Sequence, residues 1–242
     1  MRDLLLAGAL LSSLGGYSQR VVDLASHDFS LSLGQTLIGV ADDHPSQDKY
    51  RDILNGSPYF KDQWMQGLAL FGESKAFARV QIRLNILDNE VDYKNSKGQE
   101  MVATAPLKQI VLVDSTTGEE FTFVPGSTWK GEYKELDNVW LQVLANDKVS
   151  LLRLIHKRLQ VTNPSYGTTI TERSIVTDES YYVQMNGHLT RIKKWEDLVN
   201  LFKDQKEVIA SYIRSNKLKG RSMEEYRQLV HYYNSIPATS KI

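Results

Sequence analysis

Between residues 64 and 192, apolar positions recur with the two-residue period of β-strands. The segment VQIRLNI alternates Val80, Ile82, Leu84 and Ile86 with polar residues, which predicts a strand with one buried face and one wet face. The segments QIVLVDSTTGEEFTFV, VWLQVLANDKVSLLRLI and YYVQMNGHLTRI each hold two short apolar runs around a turn. This is the pattern of a β-hairpin, and successive hairpins with little helix between them predict an antiparallel meander.

At Trp195 the pattern changes to the helical period. Trp195, Leu198, Val199 and Phe202 follow the spacing i, i+3, i+4, i+7 and form one apolar stripe. Two later positions have the spacing of a capping box, Asp204 with Glu207 and Ser222 with Glu225, and each predicts the start of a further helix. The predicted fold is α+β: a mainly antiparallel, curved or half-barrel sheet with about three C-terminal helices packed on it.

The first residues have the features of a secretory signal peptide. Arg2 precedes an apolar run, glycines at 15 and 16 break the run, and small residues allow cleavage between Ser18 and Gln19. The run is shorter than a membrane span, and the following chain holds no longer one. We therefore expect an exported protein, periplasmic or extracellular, whose mature chain has no membrane span.

The pattern divides the chain into four parts. They are a signal peptide at 1–18, an antiparallel β domain with an irregular N-terminal segment at 19–192, C-terminal helices at 193–236 and a tail at 237–242. The sequence has no cysteine. The mature chain therefore has neither a disulfide framework nor a lipid-modified cysteine.

The charges give no reason to expect nucleic acid as a partner. Lys plus Arg and Asp plus Glu both number 29, so the formal net charge is zero. The partners that we expect are instead an unknown protein, or a lipid or glycan ligand of the cell envelope.

Motifs for catalysis are missing from the sequence. It has no phosphate-binding loop, no dinucleotide fingerprint, no nucleophile elbow and no zinc-type histidine spacing. We therefore predict no catalytic residues, no cofactor and no metal site. The alternative is an exported hydrolase with a site in the N-terminal loop region around His44.

Aromatic side chains are the best candidates for a ligand site, because Trp and Tyr on a sheet can stack on sugar rings or line an apolar cleft. The leading prediction is a non-enzymatic binding or interaction module that uses the sheet face. The predicted ligand-binding residues are Trp64, Trp129, Trp140, Tyr166 and Tyr182.

Three segments carry a resemblance to a known group of proteins. In chain order they read GSPYFKDQW, NEVDYKNSKGQEM and EEYRQLVHYYNS, the last with a Tyr-Tyr-Asn motif, and they span about Gly56 to Ser235. In these segments the chain resembles an uncharacterised family of exported proteins of Bacteroidota-type bacteria. The resemblance implies a β-meander with a helical tail and an envelope location, and it brings no assigned activity.

Overall fold

A computed structural model describes residues 21–23, 49–71, 76–95, 97–129, 132–162 and 172–237. The predicted signal peptide, His44 and Tyr166 lie outside the described residues, as does the tail after Pro237.

The described residues form one 12-stranded sheet. The strands are β1 (Val21–Asp23), β2 (Ile53–Asn55), β3 (Met65–Phe71), β4 (Ala76–Asn85), β5 (Glu90–Lys94), β6 (Glu100–Val102), β7 (Leu107–Val113), β8 (Glu120–Pro125), β9 (Trp140–Ala145), β10 (Val149–Thr162), β11 (Glu172–Met185) and β12 (His188–Ile192). Their order across the sheet is β12-β11-β10-β9-β8-β7-β3-β4-β5-β6, with β1 beside β4 and β2 beside β11.

The sheet is mainly antiparallel and open. All neighbours in the main order pair antiparallel, whereas β1 on β4 and β2 on β11 pair parallel. The three hairpins predicted from the sequence are β7–β8, β9–β10 and β11–β12, and all three are confirmed. Asn186 and Gly187 connect the last pair with φ angles of 53° and 79°, the positive values of a tight hairpin turn.

Three helices follow the last strand, so the predicted α+β class is confirmed. They are α1 (Trp195–Leu201), α2 (Lys206–Ser215) and α3 (Met223–Ser235). Ser222 caps α3, since its hydroxyl accepts a hydrogen bond from the Glu225 N–H at 3.3 Å. The predicted cap of α2 at Asp204 was one residue early, since the N-cap is Gln205; Asp204 lies in a 3₁₀ turn and its carboxylate accepts a hydrogen bond from the Tyr233 hydroxyl.

The helices cover one face of the sheet at its β9–β12 end. We call this face, which carries Ile82, Phe123 and Val183, the back face. The buried residues that strands and helices share there are Leu144, Ala145, Val149, Leu151, Val183, Ile192, Leu198, Phe202, Ile209, Leu218, Leu229, Val230 and Tyr233. A second back-face core lies along β3–β9 and includes Ile82, Ile110 and Phe123, each completely buried.

The opposite face, here called the front face, is covered by two loop segments. Residues 126–139 connect β8 to β9 and form two short 3₁₀ helices, Gly126–Trp129 and Lys134–Leu136. They pack on the front face at the β9–β12 end. The buried residues of this front cluster are Trp129, Leu136, Leu141, Leu152, Leu154, Tyr182 and Leu189. The second covering segment, residues 49–64, precedes β3 and places the rings of Tyr59 and Trp64 over the front face at the β4–β6 end.

Candidate functional site

The predicted aromatic residues do not form one site. Trp129 and Tyr182 share the front cluster, at 8% and 0% exposure, whereas Trp140 belongs to the back-face core. Trp64 is half-buried at the other end of the front face, beside Arg83. Trp129 is the one among these four that lines an open groove. A ligand-binding role for the set stays a prediction.

The groove lies on the front face beside the first 3₁₀ helix and has a volume of about 770 Å³. Its floor is apolar and consists of side chains from three adjacent strands, Val124, Val143 and Leu152. Trp129 and the residues before it form one wall, and the opposite side is the start of β7 around Lys108.

The polar groups of the groove are uncharged apart from Lys108. The hydroxyl and amide groups belong to Ser127, Thr128, Asn146, Ser150 and Gln184. Two of the hydroxyls already have partners, because Ser150 donates to the Asn146 side chain at 2.8 Å and Thr128 donates to the Pro125 carbonyl at 2.9 Å. The remaining groups can hydrogen-bond a neutral ligand, while the floor takes an apolar one.

Gly126 sets the position of the groove wall. Its N–H donates to the Val139 carbonyl at 2.8 Å and closes the base of the 126–139 segment. A Cβ atom at this position would lie 2.1 Å from the Leu136 carbonyl oxygen, far inside van der Waals contact. Glycine is therefore required where the chain leaves β8 and crosses over the front face.

Tyr182 is held under the same segment by its hydroxyl group. The ring makes an edge contact with Tyr133 at 5.3 Å, and the hydroxyl donates to the Glu135 carboxylate at 3.1 Å. Burial raises the pKa of Tyr182 to about 12, so this donor keeps its proton at neutral pH. The contact fixes the segment to the sheet.

No protein family, curated protein or solved structure matches the chain. In the part of the chain that the structure describes, none of the helices is long and apolar enough to cross a bilayer.

A buried charged cluster occupies the other end of the front face. Arg83 on β4 lies 3.5 Å from the carboxylates of both Asp92 on β5 and Glu100 on β6. Arg83 and Asp92 are only 5% and 3% exposed. The rings of Tyr59 and Trp64 cover the guanidinium group, with centroids at 3.9 and 4.5 Å, a cation–π arrangement that replaces part of its hydration.

This cluster corrects the sequence interpretation of VQIRLNI. The polar positions of that strand were expected to face water, yet Arg83 is buried and Asn85 is 1% exposed. Side chains of the segment before β3 cover them: the Tyr59 ring lies over the Arg83 guanidinium group, and the Asn85 amide donates to the Tyr50 hydroxyl at 3.0 Å. The alternation of apolar and polar residues in β4 correctly placed Arg83 and Asn85 on the same face. It did not predict that the segment before β3 covers that face.

Burial also changes the protonation of Asp92. It raises the pKa of the carboxyl group to about 6, even though the positive charge of Arg83 acts to lower it. One carboxylate oxygen of Asp92 is buried without a hydrogen-bond partner. This is a destabilising arrangement that the surrounding contacts must offset.

Two kinds of side-chain arrangement, a histidine paired with a serine or an acid and a cluster of metal ligands, do not occur among the described residues. Three histidines fall within the described ranges, His156, His188 and His231, and none of them is hydrogen-bonded to a serine or an acid there. Within the same ranges, His, Asp and Glu side chains do not gather in threes as a metal ion would need. The alternative site around His44 lies outside these ranges, and it stays a hypothesis.

Proposed function

We propose that the chain is an exported bacterial envelope protein that acts as a non-enzymatic binding module. The observation that carries the proposal is the front groove, with an apolar floor of Val124, Val143 and Leu152 and polar lining groups that are hydroxyls and amides apart from one charged residue, Lys108. This mixture suits a ligand with an apolar part and an uncharged hydroxylated part. An acyl chain with a sugar headgroup is the envelope ligand that fits both.

Titration with octyl glucoside, kept below its micelle concentration, tests the proposal. We expect saturable NMR shifts of the Trp129 indole N–H and the Val143 methyl groups, because both line the groove. Glucose alone should give much smaller shifts, since it lacks the chain that removes apolar surface from water. Protein purified from the native cells should also show a mass that lacks residues 1–18.

A matched pair of variants locates the binding. Val143→Arg places a charged side chain on the groove floor, whereas Thr122→Arg changes a half-buried front-face residue directly beside it on β8, outside the groove lining. We expect the first variant to weaken octyl glucoside binding by roughly tenfold or more, the loss of about 1.4 kcal/mol. Equal binding by both variants, or no saturable binding by the wild type, would contradict the proposal.

A further inference from the structure

Two strands extend beyond their neighbours and form a protruding ribbon. β10 and β11 pair along their whole length, from Val149 with Met185 to Thr162 with Glu172. β9 reaches β10 only as far as Leu154, and β12 covers β11 only at residues 181–185. The ribbon therefore consists of residues 156–162 of β10 and 172–178 of β11.

The two edges of the ribbon differ. On the β11 side, β2 adds a short parallel strand at Arg173 and Ser174. On the β10 side, no strand of the described part of the chain pairs with residues 156–162. This edge presents a row of N–H and C=O groups that another strand can pair with.

Apolar side chains are concentrated on the ribbon. Among the described residues, four large hydrophobic side chains are exposed, and two of them lie on the ribbon: Leu159 at 46% and Val161 at 51%. A third, Leu54 at 61%, lies on β2 at the other edge of the ribbon. Leu159 and Val161 are two residues apart on the open strand, so they lie on the same side of it. An open edge that carries exposed apolar residues is a site for strand addition.

The charges of the edge strand are already engaged within the chain. Arg158 lies 3.3 Å from Asp178 across the ribbon, and the Lys157 ammonium group donates to the carbonyls of Ser57 and Tyr59 at 2.7 and 2.5 Å. The exposed apolar side chains of this strand are Leu159 and Val161, on one face of the ribbon next to the open edge.

We propose that two copies of this chain associate by antiparallel pairing of their β10 edges, centred on Gln160. In this register Leu159 of each copy faces Val161 of the other, and Arg158 faces Thr162, so apolar pairs form twice and like charges are not opposed. A register centred on Arg158 would place two arginines opposite each other, which is unfavourable. The second copy fits because the strand is complementary to itself in this register.

Sedimentation of the full chain tests the association. We expect a monomer–dimer equilibrium that depends on protein concentration, and Leu159→Lys should raise the dissociation constant by about tenfold or more, because it replaces both apolar pairs by charge next to an edge. The matched control is Val208→Lys, at a 40% exposed residue of α2 outside the ribbon. A wild type that stays monomeric, or a dimer that Leu159→Lys leaves unchanged, would overturn the proposal.

Cross-linking tests the register. Because the chain has no cysteine, Gln160→Cys introduces a single thiol at the proposed two-fold axis. We expect a short bismaleimide reagent to link two copies of this variant and to leave Val208→Cys monomeric. If Gln160→Cys does not cross-link above that control while its edge amides resist hydrogen exchange, a segment of the same chain covers the edge and the proposal is wrong.

Discussion

The two ends of the front face bury opposite chemistry. At the β4–β6 end the buried groups are charged or polar, with Arg83 and Asp92 at the centre. At the β9–β12 end they are apolar, with Leu152 and Tyr182 under Trp129. Both ends are parts of one sheet and both are covered by loop segments. Strand alternation therefore determines which residues share a face, whereas the covering segment determines whether that face is exposed to water.

The two covering segments match what they cover. Over the charged end, the segment before β3 provides the rings of Tyr59 and Trp64, whose faces attract the guanidinium group. Over the apolar end, the 126–139 segment provides Trp129 and Leu136, which add to a hydrophobic cluster. The apolar end therefore depends on shape and close packing, and the charged end depends on pairing of charges.

The largest effect is expected at the apolar end, from Gly126→Ala. The added Cβ would meet the Leu136 carbonyl oxygen at 2.1 Å, so the covering segment must shift away from the sheet. We expect a loss of about 4 kcal/mol in the free energy of unfolding, the range of severe steric and packing changes. Urea unfolding measures it.

Gly118→Ala is the control for backbone strain alone. Gly118 has a φ angle of 73°, but a Cβ there would have no atom within 4 Å, so the cost should be about 1 kcal/mol. Equal losses for the two variants would show that the 126–139 segment does not depend on its close approach to Leu136.

A somewhat smaller effect is expected at the charged end, from Arg83→Met. The variant keeps most of the side-chain volume but leaves the buried Asp92 without its positive partner. We expect a loss of about 3 kcal/mol at pH 7, because an unpaired buried charge is strongly destabilising. The control is Arg158→Met, which removes an exposed pair with Asp178 and should cost less than about 1 kcal/mol. Equal stability of the wild type and Arg83→Met would contradict the assigned role.

The smallest effect concerns the pH dependence of stability. Asp92 has a pKa of about 6 in the folded chain and 3.8 as an ordinary aspartate, so between these values the folded state holds the proton more often than the unfolded state does. Protonation of Asp92 therefore adds to the free energy of unfolding at low pH, and this contribution is lost as pH rises through 6. The change is about 2 kcal/mol between pH 4 and pH 7. Unfolding curves of the wild type and Asp92→Asn, compared over this range, measure it.

In the variant Asp92→Asn, the free energy of unfolding should no longer change in this way between pH 4 and pH 7, because an amide does not titrate. Asp114 provides an opposite reference within the same protein. The Lys61 ammonium group, followed by the Thr116 N–H, holds the pKa of Asp114 at about 2, so stability from Asp114 is present above its ordinary pKa and is lost as pH falls toward 2. If Asp92→Asn keeps the wild-type slope between pH 4 and 7, another group causes it.

Local patterns predicted the elements of the fold but not its covering segments. The alternation of β4, the turn at Asn186 and the cap at Ser222 each depend on a few neighbouring residues, so they could be inferred from the sequence. The burial of Arg83 depends on Tyr59, 24 positions earlier in the chain, and no local pattern contains that contact. The predicted cap of α2 was one residue early, and the contact that Asp204 makes instead is also distant: its carboxylate accepts a hydrogen bond from the Tyr233 hydroxyl, 29 positions later.

The candidate site shows the same limit. The aromatic composition of the β region drew attention to Trp129, which does line the groove, and equally to Trp140, which packs on the back face. Residue type alone does not separate them, although Trp129 lies in the first 3₁₀ helix and Trp140 begins β9. What distinguishes Trp129 is its place three residues after Gly126, where the chain turns over the front face.

The attachment of α3 to the sheet has a consequence for truncated forms of the chain. The Asn234 side chain accepts a hydrogen bond from the Val149 N–H at 2.9 Å and donates one to the Val149 carbonyl at 2.8 Å, across 85 residues of chain. The back face of β9–β12 thus receives part of its cover from a helix that is distant in sequence. A chain that lacks α3 would expose this apolar surface, and such surfaces make a protein prone to aggregation.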